Sequence, residues 1–470
     1  MKRVLFLIPL LSVALLAQPA RDPRVLRFPE LRFAPAKPQT VELGGGSQLL
    51  LLPDHDVPLV RAYMVVESGS ILDPQGREGL SSLTVRALKS GGAGGLTPEQ
   101  VDDRLDGLGT TINVFPDLEN STLSLWSLRE NFEVSWQLLT DMVFRPRFDE
   151  ARLDSEKKGD LEGIRRRWDD PQGTAYTLWP ELLYGRSQPE GRRTTSASVS
   201  AITRADLVGF HRGSLLGKRV MIAICGDFDP AWAVARVKRD FAAWPAARSA
   251  GPEVPPVTLA ARPGIYLVDK PAMTQAVLLI GHLGTGRLDP DNAELSVLNF
   301  VLGGGGFNSR IMREVRSHRG LAYSAYGTVG AGRDRGAFTC FTQTKTQTAG
   351  EATRVIADIV RALTENEVTP GELATAKSYE ANSFVFRFES PAALLYQTMT
   401  MRLQGFPDDY FDKYLGRIAA VDAAKVKAMA RRVLNPDGLV VLVVGPKAQL
   451  LEPLKTLGLG EVTELQLPRE

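Results

Sequence analysis

Two hydrophobic periods alternate along the chain. Leu59–Glu67, Thr122–Ser127, Val220–Cys225, Ala276–Ile280, Ala337–Thr342 and Leu439–Val444 are short runs, continuously apolar or alternating, and they read as strands. Between them apolar residues recur every three or four positions, as in helices. The stretch TPEQVDDRLDGLG carries its own punctuation. Thr97 is placed as an N-cap with Gln100 closing a capping box, Pro98 at the first helical position and Gly109 at the stop. Val101, Leu105 and Leu108 make its buried stripe. Strands grouped with helices, without strict β-α-β alternation, predict an α+β fold built in layers.

The pattern is also written twice. FDEARLDSEKKGDLEGIRRRWDDP (Phe148–Pro171) lies on VTPGELATAKSYEANSFVFRFESP (Val368–Pro391) at a constant offset of 220, with Leu153 on Leu373, Lys157 on Lys377, Arg167 on Arg387 and Pro171 on Pro391. Further on, RVMIAICGD matches GLVVLVVGP at an offset of 219, Gly226 on Gly445. A separation kept this closely implies duplication. Between the copies, Ala246–Gly264 is rich in Pro, Ala and Gly and reads as a linker.

With 470 residues the chain is too long for one core, and 44% apolar residues are those of a globular protein. Lys and Arg (56) nearly balance Asp and Glu (54), which excludes a global field for collecting nucleic acid. The first residues differ from the rest. A basic Met1-Lys2-Arg3 precedes an apolar Val4–Ala17, with small residues at Ala17 and Ala20, as in a cleaved secretory signal. Its fourteen residues would make about 21 Å of helix against a hydrocarbon core of roughly 30 Å. The expected product is exported to the periplasm, with no stable membrane span. Cys225 and Cys340 each sit in a strand-like run and are expected as separate core thiols.

Catalytic signatures are mostly missing. There is no P-loop, no nucleophile elbow and no histidine pair at helical spacing among His55, His211, His282 and His318. The segment GGGGFNSRIMREVRSHRGLAY (Gly303–Tyr323) stands out. Ile311, Met312 and Val315 are spaced to face a core, Gly320 is a helix stop, and LAYSAYG alternates as a strand. Arginines at 310, 313, 316 and 319 form a cationic stripe. Arg316 falls in the last helical turn and Tyr323 just beyond it, so forked donors and a hydroxyl converge, fit for a peptide carbonyl or an oxyanion. A solvated helix face satisfies the same pattern.

This segment resembles the C-terminal signature of the insulinase/pitrilysin family of inverted-zinc-motif peptidases: a glycine-rich turn, a helix, and an Arg followed seven residues later by a Tyr. The duplication, the linker and ESGSILDPQGREGLSSLTVRAL in the first half resemble the family layout as well. The resemblance implies two homologous α/β-roll-like domains in a clamshell arrangement: residues 1–20 signal, 21–40 extended segment, 41–247 and 264–470 the two domains, 248–263 the linker. It also implies that Arg316 and Tyr323 hold substrate backbone. In active members a helix of the first half carries H-x-x-E-H, two zinc ligands and a catalytic glutamate. Here those positions are Ser82, Val85 and Arg86, and the third ligand falls on Gly163. Glu162 is adjacent but turned by about 100°. Glu156 remains, read as a solvated helix charge. No metal and no cofactor are therefore expected in this chain. The implied protein is the Arg/Tyr subunit of a heteromeric peptidase, partnered by a homologous zinc-bearing H-x-x-E-H subunit and acting on peptide or unfolded polypeptide. The other reading the resemblance leaves is a scaffold of the same fold.

Overall fold

The computed structural model describes residues 35–242, 244 and 256–468. The expected N-terminal signal and most of the 21–40 segment lie outside the described residues, as do 248–255 of the expected linker.

The first half contributes β1 (Gln39–Gly44), β2 (Ser47–Pro53), β3 (Leu59–Val66), β4 (Thr111–Pro116), β5 (Ser121–Leu128) and β6 (Val220–Gly226). The second contributes β7 (Gly264–Asp269), β8 (Gln275–Leu283), β10 (Ala322–Val329), β12 (Ala337–Lys345), β13 (Val440–Gly445) and β14 (Val462–Leu465). Two short strands, β9 (Thr285–Gly286) and β11 (Ala331–Gly332), pair with each other.

The sheets run β1-β2-β6-β3-β5-β4 and, read from the other edge, β14-β7-β13-β8-β12-β10. Both have a parallel pair at the same place, β2 with β6 and β7 with β13, followed by the same antiparallel run. Only the outer strand differs: β1 precedes its sheet in sequence and pairs antiparallel, whereas β14 follows and pairs parallel. The duplication also reaches side-chain bonding. Lys157 Nζ donates to the carbonyls of Ser200 and Ile202, and Lys377 Nζ donates to those of Ala419 and Val421. All three residues of each set keep the spacing of the repeat.

β6 and β13 are apolar at nearly every position because both their faces are covered. On β6, Val220, Ile222 and Ile224 face the core of their own half. Met221, Ala223 and Cys225 meet Ala392, Leu395, Met399 and Leu403 of the Pro391–Leu403 helix, which belongs to the other half. The exchange is mutual. The Pro171–Tyr184 helix lays Ala175, Leu178, Trp179 and Leu183 on Val440, Leu442 and Val444 of β13. These helices begin at the repeat-related prolines 171 and 391, each at its first helical position. A cut between 247 and 264 therefore divides the sequence repeat but not the cores. The described end of the linker is no free tether either: Ala260 and Ala261 N–H groups bond the carbonyls of Leu183 and Leu182, and Val257 is buried.

The capped helix forms as its sequence predicts, over Pro98–Gly107 with the Thr97/Gln100 box complete and Gly109 at φ +58°. Cys225 and Cys340 are both free and buried, and burial pushes the Cys225 thiol up to about 12. No described helix is long and apolar enough to cross a membrane.

Candidate functional site

The zinc-motif positions lie on the Leu80–Ser90 helix. Its start is fixed by Gly79 at φ +102° and by the Asp73 carboxylate, which accepts from the backbone N–H groups of Gly79 (2.8 Å) and Ser81 (2.7 Å). Ser82 and Arg86, four residues apart, share a face, whereas Val85 is turned fully into the core. Arg86 reaches the facing Glu150–Arg166 helix: Nε donates to Glu156 (2.8 Å), NH2 to Asp160 (2.6 Å) and NH1 to Ser82 Oγ (3.0 Å). Burial opposes the charge, but hydrogen bonds and attraction from Asp160 and Glu156 outweigh it, and the guanidinium pKa rises.

Glu156 is thus no solvated helix charge. Asp160, one turn further along the same face, completes the pair and went unread in the sequence; its i, i+4 relation to Glu156 was the available signal. Gly163 is exposed, with open space where a side chain would stand, and Glu162 pairs outward with Arg165 and Arg166. The donor set does not suit a zinc ion. Two carboxylates remain, already neutralised by a tethered cation, and among the described residues no group of three His, Cys, Asp or Glu is placed to hold a metal. A cavity of about 570 Å³ opens beside Ser82, lined also by Asp73, Tyr184, Glu190 and Arg192.

In the second half the glycine run forms no open cradle. Phe300–Gly304 is a π-helical turn lying against β10. The Asn299 side chain pairs with the N–H and C=O of Val329 (2.7 and 3.0 Å), which seals the edge of that strand. Beyond it come a 3-10 turn at Gly306–Asn308, a short helix Arg310–Met312 capped by Ser309, and a second π-helical turn, Arg313–His318. Irregular turns of this kind tend to mark functional positions. Ile311 and Val315 are fully buried, Met312 only in part, and Gly320 ends the segment at φ +62°.

The expected cationic stripe is largely neutralised. Arg310 makes a forked pair with Glu372 (2.9 and 2.8 Å), Arg313 lies 3.5 Å from the same carboxylate, and Arg319 pairs with Glu351 at 3.3 Å. Arg316 has no carboxylate among the described residues. Its guanidinium instead lies over the rings of Phe307 (4.8 Å) and Tyr323 (4.5 Å). Tyr323 is 82% and Phe307 62% exposed. The β-bulge between Ala322 and Ala325 lets Tyr323 leave the strand alternation and turn outward. The structure therefore brings Arg316 and Tyr323 together, the half-buried arginine without a hydrogen-bond partner among the described residues and the tyrosine exposed.

Glu372 anchors this arrangement. Burial disfavours its charge, yet hydrogen bonds from Arg310 and Thr369 hold its pKa at about 2, below the ordinary 4.5. A depressed carboxylate contributes stability above its unfolded pKa and loses it as pH falls through the folded value. Wild type should therefore exceed Glu372→Gln in stability by ~1–3 kcal/mol above pH 4.5, with the gap closing toward pH 2 in thermal melts. Glutamine can keep the capping box with Thr369 but not the fork with Arg310, so the difference reports the charged pair.

Two family models match the chain: Insulinase (Peptidase family M16) over residues 49–181 and Peptidase M16 inactive domain over residues 201–379. An uncharacterized zinc protease of Mycobacterium bovis is 28% identical over 335 residues, covering 70% of this chain and 76% of its own length. The non-peptidase homolog YmxG of Helicobacter pylori is 22% identical over 399 residues, 84% of this chain and 90% of its own. A crystal structure of a peptidase M16 inactive domain from Pseudomonas fluorescens superposes with a TM-score of 0.79 at 27% identity, covering 87% of this chain and 98% of that one. The periplasmic protease PqqL from Escherichia coli shares the fold at a TM-score of 0.73 and 15% identity, over 93% of this chain and 49% of PqqL. Two sheets repeated in one topology, a first-half helix with the inverted zinc motif written out of it, and these matches together make the chain a member of the insulinase family, peptidase family M16, that lacks the family's zinc motif.

Proposed function

We propose that this protein is a catalytically inactive M16 subunit, exported to the periplasm, which binds peptide through Arg316 and Tyr323 and presents it to the zinc of a homologous H-x-x-E-H partner. The supporting observation is the asymmetry between the two centres. At the degenerate motif the cation position is filled by Arg86, so no water can be activated there by the family's route. At the other centre Arg316 keeps its donors free within an aromatic frame. A relative named as a non-peptidase homolog fits the loss of hydrolysis, and relatives named as zinc proteases fit a family in which active chains are at hand as partners. In this reading Tyr323 and Arg316 hold the substrate peptide while the partner supplies metal and base.

The test mixes the purified chain with a zinc-bearing H-x-x-E-H homologue from the same organism, sought first in the adjacent reading frame. Peptide cleavage should require both chains and be lost to a chelator. Arg316→Ala should lower kcat/KM about 10–100-fold, as for loss of a charged hydrogen bond, without dissociating the complex. Unchanged cleavage in Arg316→Ala rejects the assigned role, and failure of any M16 homologue to associate leaves the fold as a scaffold.

A further inference from the structure

The charge balance around Arg316 narrows what the site accepts. Of the four arginines between 310 and 319, three face carboxylates of the same chain, Glu372, Glu314 or Glu351, and His318 faces Glu314 at 3.1 Å. Arg316 alone carries an unneutralised charge, and nothing within the described residues takes its hydrogen bonds. The rings of Phe307 and Tyr323 engage the guanidinium through its π-face contacts, which hold it in place without using its N–H donors. A guanidinium fixed in this way offers parallel donors in one plane, and the acceptor matching that fork in shape and charge is a carboxylate. A peptide carbonyl is neutral and offers one oxygen, so it leaves the charge unanswered. Both flanking rings are exposed, giving apolar surface for a side chain next to the bound group.

We infer that the Arg316–Tyr323 site selects peptides that carry a free carboxylate beside an apolar or aromatic residue, with Arg316 making the forked pair and the Tyr323 hydroxyl donating a further hydrogen bond. This rests on the proposed peptide-binding role and adds the chemical class that is bound. The carboxylate has two sources, a chain terminus and an acidic side chain, and the experiment separates them.

Binding of three dansylated alanine–phenylalanine hexapeptides to the full chain is measured by fluorescence anisotropy: one with a free C-terminus, one amidated, and one amidated with an internal aspartate beside phenylalanine. The amidated neutral peptide should bind about tenfold or more weakly than at least one carboxylate-bearing peptide, and the stronger of those two identifies the source. Arg316→Ala should abolish the difference. Arg316→Lys, which keeps the charge but not the fork, should retain only part of it. Circular dichroism melts of both variants verify folding. Equal affinities for all three peptides, each weakened by Arg316→Ala, would overturn the carboxylate selection and leave peptide binding standing. No binding of any peptide, with Arg316→Ala indistinguishable from wild type, would overturn both.

Discussion

Replacing Arg86 with alanine is expected to destabilise the molecule by ~2–3 kcal/mol, a fall in melting temperature of roughly 2–4 °C for a chain whose two halves share their cores. The reason is what remains rather than what is removed. Glu156 and Asp160 stand one turn apart on the same helix, each about 70% shielded from water, and Arg86 answers both. Without it, two carboxylates one helical turn apart lose the cation they share. Neutralising them should reverse much of the loss, so the triple variant Arg86→Ala, Glu156→Gln, Asp160→Asn should melt above Arg86→Ala alone. Adding a chelator should leave the wild-type melt unchanged, because a tethered guanidinium already does the electrostatic work of an ion. A wild-type melting temperature that falls with EDTA, or a triple variant no more stable than Arg86→Ala, would show that this cluster does not replace a metal.

The second large effect is expected at Gly303. A Cβ there would stand 2.3 Å from the amide nitrogen and 2.5 Å from the carbonyl oxygen of Gly327, both rigid backbone of β10. Gly303→Ala must push the Phe300–Gly304 turn off the strand, at ~3 kcal/mol or more, and disturb the Asn299 bridge to Val329. The turn leads directly into Phe307 and Arg316, so peptide affinity should fall together with stability. Gly163→Ala is the control. It lies mid-helix, exposed, with open space around its Cβ, and should stabilise by ~0.5–1 kcal/mol. A Gly303→Ala protein that melts within 1 °C of wild type would refute the close approach.

The glycine run shows where sequence reading stopped. Four consecutive glycines suggest mobility or a ligand cradle, and both ideas follow from local freedom. Their use is a non-local one: the missing Cβ at 303 lets a helical turn touch a strand some twenty-four residues later in the chain. Ser90–Gly95 behaves alike. Rich in glycine, it is nonetheless tied to the segment 145–149 through the N–H groups of Gly94, Arg147 and Asp149. The arginine stripe failed as a stripe for a similar reason, since its neutralising Glu372 and Glu351 come from helices 32 and more residues away.

By itself the sequence determined what depends on neighbours along the chain: strand and helix periods, the Thr97 cap, the Gly320 stop and the positions where zinc ligands are missing. It also determined the duplication, since two copies at one spacing must bury equivalent faces, as Lys157 and Lys377 do in their matching bonds. Only the tertiary structure decided which surfaces meet. It crossed the 171–184 and 391–403 helices onto each other's sheets, gave Arg86 its two carboxylates and left Arg316 without one. Pairing between distant segments is set by the shape and charge of faces that come into being only when the chain folds.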